Sequence, residues 1–339
     1  MFHPCRSALA GVLLIVACSG CAPRFPGHGP AASEPRLAAA HFVTADATVL
    51  PVRHWLPAAG PVRAVLVALH GFNDYSKFFE APGGYLRQRG VACYAYDQRG
   101  FGHAPARGEW PGTAAYVDDL RDFVDQVRRR HPGVPVYLLG ESMGGAVAIV
   151  AAASPRAPAF DGMILAAPAV WGRATMPWYQ RWLLAFTARI LPELQLTGEG
   201  LNILPSDNIE MLRGLGRDPL VIKATRVDAI YGLANLMDRA LERAPRLRLP
   251  TLLLYGEKDQ VVPREPVYRM IATMPAGVRT AFYEQGYHLL LRDLHADRPW
   301  ADIVAWIGDH DAPFPSGADR RQPRQLAMIA SQGGSMGVE

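Results

Sequence analysis

The feature that most constrains this 339-residue chain is an apolar segment that is interrupted by a serine between glycines. Residues 136–139, VYLL, are apolar and typical of a short buried strand. Residues 143–153 are rich in alanine and apolar throughout, as a buried helix is. Between them stands Gly140-Glu-Ser142-Met-Gly144, which has the pattern G-x-S-x-G. The segment therefore predicts a strand, a sharp turn at Ser142 and a helix.

A strand, a strained turn and a helix in this order form a nucleophile elbow, in which the helix N-terminus faces a developing oxyanion. The same pattern recurs at Gly333-Gly-Ser335-Met-Gly337, in the Gly/Ser-rich stretch SQGGSMGVE. That stretch has no apolar run before the serine and no helical pattern after it, so we interpret Ser335 as a chance match in a flexible end. For Ser142, an ordinary structural turn is the alternative.

From residue 41 onward, apolar strand-like runs alternate with helical patterns. The runs occupy residues 41–44, 49–55, 62–69, 92–97, 136–140, 163–167, 251–255 and 279–283. This alternation predicts an α/β fold with a mostly parallel sheet covered by helices on both faces. Residues 170–244 interrupt it with helical stretches, so we interpret them as a helical cap inserted into a core of residues 41–169 and 245–311.

Two further residues complete a pattern for nucleophilic catalysis. Acyl transfer by a serine needs a general base and a carboxylate that orients it. Asp259, in LLLYGEKDQVVP, follows one strand-like run, and His288, in FYEQGYHLLL, follows the next. We predict His288 as the base and Asp259 as its orienting carboxylate, because the order Ser, Asp, His is one that serine hydrolases use. Taken singly, each residue could be a turn or surface residue, and Asp293 and Asp297 are competing carboxylates.

The oxyanion requires N–H donors from two places. One is the N–H of Met143, at the start of the predicted helix. The other is the N–H of Phe72, in the loop ALHGFNDYS that follows a strand. We predict that His70 shapes this loop and transfers no proton, and an ordinary strand-to-loop glycine at Gly71 is the alternative.

The N-terminus has the pattern of an export signal. Residues 8–17, ALAGVLLIVA, form an apolar stretch too short to span a bilayer. Ile15-Val-Ala-Cys18 resembles the lipobox of bacterial lipoproteins, with Cys21 as the alternative lipid acceptor and a plain cleaved signal as the other alternative. We predict a signal peptide at 1–17, a tether at 18–40 and a flexible tail at 312–339. The expected location is the bacterial cell envelope, lipid-anchored at the outer membrane and facing the periplasm.

The predicted cap contains an apolar stripe. Pro177 suits the first turn of a helix, and Pro192 ends it. Six side chains between these prolines fall on one helical face: Trp178, Tyr179, Trp182, Leu183, Phe186 and Ile190. We predict that Trp178, Trp182 and Phe186 face substrate or lipid, since amphipathic aromatic residues suit an interface. Packing of the stripe against the core is the alternative.

Five stretches together resemble a known group of enzymes: LHGFNDYSKFF, YDQRGFGHA, LLGESMGGAVAI, LLLYGEKDQVVP and GYHLLLRD. They resemble the monoacylglycerol lipase and lysophospholipase group of α/β-hydrolases over roughly residues 41–310, and serine aminopeptidase-like and esterase relatives share them. The resemblance implies the α/β-hydrolase fold and an ester hydrolase that acts on monoacylglycerols or lysophospholipids. It also implies Ser142, Asp259 and His288 as the triad, with Phe72 and Met143 as oxyanion donors.

The remaining sequence narrows the expected partners. The formal net charge is only +4 and the basic residues are scattered, which argues against a nucleic-acid surface. Neither a metal-ligand cluster nor a dinucleotide glycine pattern is present, so we expect no metal and no cofactor. The expected partners are a small lipid ester and a membrane, contacted through the N-terminal lipid and the cap, and no protein partner is indicated.

Three other functions stay open on the sequence alone. The first is a general carboxylesterase, and the second is an amidase or aminopeptidase on the same fold. The aminopeptidase would need an acidic group in the cap to hold a substrate amine, and the cap offers four: Glu193, Glu199, Asp207 and Glu210. The third is a non-catalytic binding module, which would not need Ser, Asp and His in this order.

Overall fold

The computed structural model describes residue 23, residues 25–321 and residue 326. The predicted signal peptide, the candidate lipidation sites Cys18 and Cys21, and Ser335 lie outside the described residues. No helix in the described part of the chain is long and apolar enough to cross a membrane.

Eleven strands are described, and nine of them form one sheet. Their bounds are β1 Arg36–Leu37, β2 His41–Val43, β3 Val49–Trp55, β4 Ala64–Leu69, β5 Val91–Tyr96, β6 Val136–Glu141, β7 Gly162–Ala166, β8 Gln195–Thr197, β9 Ala224–Arg226, β10 Thr251–Gly256 and β11 Arg279–Tyr283. The main sheet has the order β1-β2-β3-β5-β4-β6-β7-β10-β11. Strands β1 to β3 are antiparallel to their neighbours in the sheet, and the other six strands are parallel to one another. The predicted mostly parallel sheet is confirmed.

The sheet is buried on both faces, which explains the continuous apolar runs in the sequence. In β4, Val65 and Val67 pack on one side of the sheet, whereas Leu66 and Ala68 pack on the other. Successive residues of a strand point to opposite faces, so a strand that is covered twice must be apolar at every position.

The helices cover these two faces. Their bounds are α1 Glu80–Arg87, α2 Thr113–Arg130, α3 Met143–Ala152, α4 Trp178–Ile190, α5 Ile209–Arg217, α6 Val227–Arg243, α7 Arg264–Thr273 and α8 Asp297–Gly308. Short 3-10 turns occur at Ser76–Phe79, Ala244–Arg246, Leu290–Arg292 and Ala318–Arg320. Helix α3, which follows the serine, is buried along almost its whole length and packs against β6, α2 and α6. This burial explains why its sequence is apolar on every side.

The segment between β7 and β10 contains α4, α5 and α6 together with a small antiparallel sheet of β8 and β9. The sequence analysis did not predict this two-stranded sheet, because its strands are only three residues long and carry no alternating pattern. Helix α6 packs closely on the rest of the protein. A Cβ at Gly232 would lie 2.4 Å from the indole ring of Trp110.

The prediction that residues 18–40 form a tether is wrong for some of the residues in this range that the structure describes. The N–H groups of Ala32 and Ser33 donate to the carbonyl of Ala45 at 2.7 and 3.0 Å. Strand β1 pairs with β2, and Leu37 is buried. The proline, glycine and alanine content of this segment suggested a tether. Its backbone nevertheless forms hydrogen bonds with the leading hairpin, which consists of β2 and β3, and Leu37 adds buried apolar surface.

The prediction of a flexible tail over residues 312–339 is also wrong at its start. Phe314 is buried, and the guanidinium of Arg279 lies 4.1 Å from its ring centre. Arg279 also pairs with Asp319 at 2.8 Å. One aromatic residue and one carboxylate are sufficient to dock a segment that otherwise has the composition of a loop.

Candidate active site

A strained turn at the end of β6 places Ser142 at the carboxyl edge of the sheet. Ser142 has φ 51° and ψ −115°, in the left-handed region, where a residue with a side chain costs on the order of 1–3 kcal/mol. A Cβ at Gly140 would lie 2.4 Å from the carbonyl oxygen of Gly144, and a Cβ at Gly144 would lie 2.4 Å from that of Leu69. Glycine at both positions is therefore required for β6, the turn and α3 to pack this closely.

The structure brings Ser142, His288 and Asp259 together in one hydrogen-bonded chain. His288 Nε2 lies 3.0 Å from Ser142 Oγ, and His288 Nδ1 lies 2.8 Å from Asp259 Oδ2. Because a carboxylate can only accept, Nδ1 carries the proton, and Nε2 accepts from the serine hydroxyl. This is the arrangement in which a histidine can deprotonate a serine.

Asp259 is fixed by its own loop. Its second carboxylate oxygen accepts the N–H groups of Val261 and Val262 at 2.8 and 2.9 Å. The competing carboxylate Asp293 accepts instead from the hydroxyl of Ser206 and the N–H of Tyr287. Asp293 therefore supports the loop that carries the histidine, and Asp259 is the carboxylate that contacts the imidazole.

The two predicted oxyanion donors lie on either side of the serine. Met143 is the first residue of α3, directly after Ser142. The loop after β4 passes close by, because a Cβ at Gly71 would lie 3.4 Å from Ser142 Cβ, and Phe72 follows at once. Both predicted donors therefore belong to segments that adjoin Ser142, and their role at the oxyanion stays a prediction.

His70 shapes the loop after β4 through both of its ring nitrogens. Nδ1 donates to the carbonyl of Gly71 at 2.8 Å, and Nε2 accepts the N–H of Gln98 at 2.9 Å. Burial lowers the pKa of His70, which favours the neutral form that these two contacts need. His70 thus joins the loop that carries Phe72 to the loop after β5.

A buried charge cluster, which local sequence patterns did not predict, adjoins the triad. Arg292 Nη2 lies 2.8 Å from a carboxylate oxygen of Asp74 and 2.9 Å from one of Glu141. Glu141 directly precedes Ser142, Asp74 lies two residues after Phe72, and Arg292 lies four residues after His288. The cluster therefore connects the three loops that carry the candidate nucleophile, oxyanion donor and base.

A sequence signal for this cluster does exist. Glu141 stands in VYLLGESMGG and Arg292 in HLLLRD, so each charge lies within a largely apolar stretch. Charged residues are almost never fully buried unless they are paired, so two such charges would be expected to find partners. Which residues they pair with depends on the tertiary fold and cannot be read from local patterns.

The cluster also acts on the candidate base. Burial by itself lowers the pKa of His288, but the charge and hydrogen bond of Asp259, with the charge of Glu141, outweigh burial and raise this pKa from its ordinary value. The charge of Arg292 opposes this rise. The same two carboxylates therefore stabilise the imidazolium that forms when His288 accepts the serine proton.

The apolar stripe of α4 lies on the surface. Its six side chains are between 54% and 73% exposed, and Trp178, Trp182 and Phe186 are among them. The alternative that the stripe packs against the core is therefore wrong.

Within the described ranges, no group of three or more His, Cys, Asp or Glu side chains is placed to hold a metal ion.

Comparisons with known proteins agree with this geometry. The chain matches the family described as serine aminopeptidase, S33, over residues 60–295. It is 32% identical over 264 residues to the monoglyceride lipase of Rattus norvegicus, covering 75% of this chain and 84% of that protein. It is 30% identical over 281 residues to the monoglyceride lipase of Homo sapiens, covering 80% and 91%.

A solved structure is similar in fold. The crystal structure of Paleococcus ferrophilus monoacylglycerol lipase superposes with a TM-score of 0.64 at 24% identity, covering 77% of this chain and 99% of that one. At this identity the likeness concerns the fold alone. The predicted α/β-hydrolase fold is confirmed.

We expect Glu141→Gln to lower the pKa of His288, because the substitution removes a negative charge that favours the imidazolium. The titration midpoint of the His288 ring, followed by NMR, should move to lower pH. Glu284→Gln is the matched control, since Glu284 is exposed and pairs with Arg321 on the surface. An unchanged or higher midpoint in Glu141→Gln would contradict this account of the cluster.

Proposed function

This chain belongs to the serine aminopeptidase S33 family of α/β-hydrolases and is an ester hydrolase. We propose that it cleaves single-chain lipid esters through an acyl-enzyme on Ser142. The observation that carries the proposal is the hydrogen-bonded chain Ser142–His288–Asp259 at the carboxyl edge of the sheet. Relatives named monoglyceride lipases support a monoacylglycerol as the substrate, and a lysophospholipid is the other substrate that the sequence resemblance implies.

In the first half of the reaction, Ser142 Oγ attacks the ester carbonyl while His288 Nε2 takes the serine proton. The carbonyl oxygen becomes an oxyanion, which accepts from the N–H groups of Phe72 and Met143. The tetrahedral intermediate then breaks its bond to the alcohol oxygen. His288 gives its proton to that oxygen, so the alcohol leaves and the acyl group stays on Ser142.

In the second half, water replaces the alcohol. His288 takes a proton from the water, the hydroxide attacks the acyl carbonyl, and the same N–H groups hold the oxyanion. The bond to Ser142 Oγ then breaks, and His288 returns the proton to the serine. Asp259 keeps Nδ1 protonated throughout and stabilises the imidazolium in both halves.

An aminopeptidase would need a carboxylate to hold the substrate amine, and the structure gives two of the four candidate carboxylates other partners. Glu193 is exposed and lies 3.5 Å from the guanidinium of Arg226. Asp207 accepts the N–H of Leu294 at 2.9 Å. Ester cleavage is the function that we propose, because the relatives of 30% identity or more are named monoglyceride lipases.

We expect Ser142→Ala, His288→Ala and Asp259→Ala each to lower kcat for ester hydrolysis by about 10³-fold or more, with the smallest loss in Asp259→Ala. Ser142→Ala should also abolish labelling by a fluorophosphonate, because the nucleophilic oxygen is gone. Ser335→Ala is the matched control, since it changes the serine of the second G-x-S-x-G pattern, and both readouts should persist. Full activity in Ser142→Ala would refute the mechanism.

The substrate class is tested on the chain lacking residues 1–21, which keeps every residue that the structure describes. Esters of graded chain length, lysophospholipids and aminoacyl amides are compared by kcat/KM. A preference for the amides would replace the ester proposal with the aminopeptidase alternative.

The exposed stripe on α4 supports a role of the cap in meeting lipid. Trp182 and Phe186 are 73% and 60% exposed, which is unusual for side chains of this size. We propose that they contact the acyl chain or the lipid surface. Exposed apolar area rimmed by polar groups is typical of membrane-contacting sites.

We expect Trp182→Ser and Phe186→Ser to lower kcat/KM for long-chain esters about tenfold more than for acetate or butyrate esters, because only long chains reach the stripe. Folding should survive, since neither side chain is in the core. Val49→Ser, at another exposed apolar position, should leave the chain-length profile unchanged. Equal losses at every chain length would exclude the proposed contact.

We further propose a lipid anchor at Cys18, with Cys21 as the alternative acceptor, and a location at the outer membrane facing the periplasm. The lipobox-like Ile15-Val-Ala-Cys18 supports the anchor, and Ser19 at the next position is similar to outer-membrane lipoproteins. Deletion of residues 1–21 should release the protein from membranes, and mass spectrometry should find a diacylglyceryl group on the N-terminal cysteine. A lipid-free Ser or Ala N-terminus would disprove the anchor.

A further inference from the structure

A cationic groove lies on the cap, between α4 and α6. Its volume is about 540 Å³, and its walls include three arginines and three aromatic rings: Arg173, Arg181, Arg189, Trp182, Phe186 and Tyr231. No acidic residue lines it in the described part of the chain. Nothing in the ester hydrolysis mechanism uses this groove.

The sequence of α4 creates this combination of residues. Arg181 and Arg189 are eight residues apart, so they lie on one side of the helix, about two turns from each other. Trp182 and Phe186 line the same groove, one turn apart. The helix WYQRWLLAFTARI contains two arginines and no carboxylate, so its charge is entirely positive.

The guanidinium groups of α4 are not neutralised by neighbouring side chains. Across residues 25–321, neither Arg181 nor Arg189 has a carboxylate within ion-pair distance, and Arg189 donates only to the carbonyl of Ala185. On the facing wall, Arg173 pairs with Asp238, lies over the ring of Tyr231 and leaves its Nη2 atom buried without a hydrogen-bond partner. Within the described ranges, the guanidinium groups of Arg181 and Arg189 therefore have donors left for an anion in the groove.

The surroundings of the groove indicate which anion it binds. Trp178, Leu183 and Ile190 extend the apolar surface along α4, and they offer no partner for a polar ligand apart from the indole N–H. At a bilayer surface, apolar side chains enter the acyl region while arginines lie at the level of the phosphates. A guanidinium binds phosphate through two parallel hydrogen bonds.

We propose that this groove binds the phosphate of an anionic phospholipid headgroup, so that α4 lies along the bilayer surface with Arg181 and Arg189 at the headgroups. The inference deepens the proposed function, because it rests on a cap that faces lipid, and it adds the chemistry of the lipid that the cap recognises. The occupant is a membrane phospholipid and not the ester that the enzyme cleaves.

The test measures binding of the chain lacking residues 1–21 to two kinds of vesicle, one of phosphatidylcholine alone and one of equal parts phosphatidylcholine and phosphatidylglycerol. We expect tighter binding to the vesicles that contain phosphatidylglycerol, and a preference that weakens as salt is added. Arg181→Gln with Arg189→Gln should reduce this preference by about fivefold per arginine. Binding to phosphatidylcholine alone should change little.

A second double variant, which removes the same amount of charge outside the groove, distinguishes an effect of the groove from an effect of the net charge of the protein. Arg246→Gln with Arg269→Gln removes two exposed arginines that lie outside the groove, and it should keep the preference. Trp182→Ser should weaken binding to both kinds of vesicle. The two double variants should unfold at the wild-type temperature and hydrolyse a soluble acetate ester normally, since Arg181, Arg246 and Arg269 are exposed, Arg189 is only partly buried, and none of the four belongs to the core.

Two results would overturn the inference: equal binding of the wild type to both kinds of vesicle, or the same loss in both double variants. A wild type that binds neither vesicle would overturn it together with the lipid-facing cap. In each case the acetate assay reports separately on the proposed catalysis. A failure of the headgroup site is therefore distinguishable from a failure of the ester hydrolase mechanism.

Discussion

The close approach of α3 to β4 and β6 is the constraint on which the rest of the site depends. A Cβ at Gly144 would lie 2.4 Å from the carbonyl oxygen of Leu69, and any side chain there would push the helix away from the sheet. The turn between this strand and this helix is strained, because Ser142 has a φ of 51°. The buried helix and sheet hold this strain in place, so the stability of the core fixes the position of the hydroxyl.

The cluster of Arg292, Asp74 and Glu141 extends this rigidity to the loops. Three buried charges are costly to desolvate, and their mutual attraction offsets that cost only in good geometry. The cluster matters because its three charges come from three different segments at the carboxyl edge of the sheet: the end of β6, the loop after β4 and the segment after β11. A displacement of one loop would separate a buried pair, so the cluster resists independent movement of the candidate nucleophile, base and oxyanion donor.

Local patterns in the sequence were enough to predict the sheet and the Ser142–His288–Asp259 contact. Both partners of Ser142 follow apolar strands, and the carboxyl ends of parallel strands meet at one edge, so chain order and strand ends together imply proximity. The charge cluster, the β8–β9 pair and the docking of Leu37 and Phe314 were not predicted. Each of them depends on a long-range contact whose partner no local pattern identifies.

The bound N-terminal segment limits how the protein could lie at a membrane. A tether of residues 18–40 would let the body move far from an anchored cysteine, but the structure holds residues 29–37 against the leading hairpin. Phe25 also packs against the core, so only the six residues between Cys18 and Phe25 remain as a connection, and the distance from Cys18 to Phe25 is at most about 25 Å when they are fully extended. An anchor at Cys18 would keep the enzyme beside the bilayer. At that distance, the exposed cap stripe and the arginines beside it would determine which face of the protein turns toward the lipid.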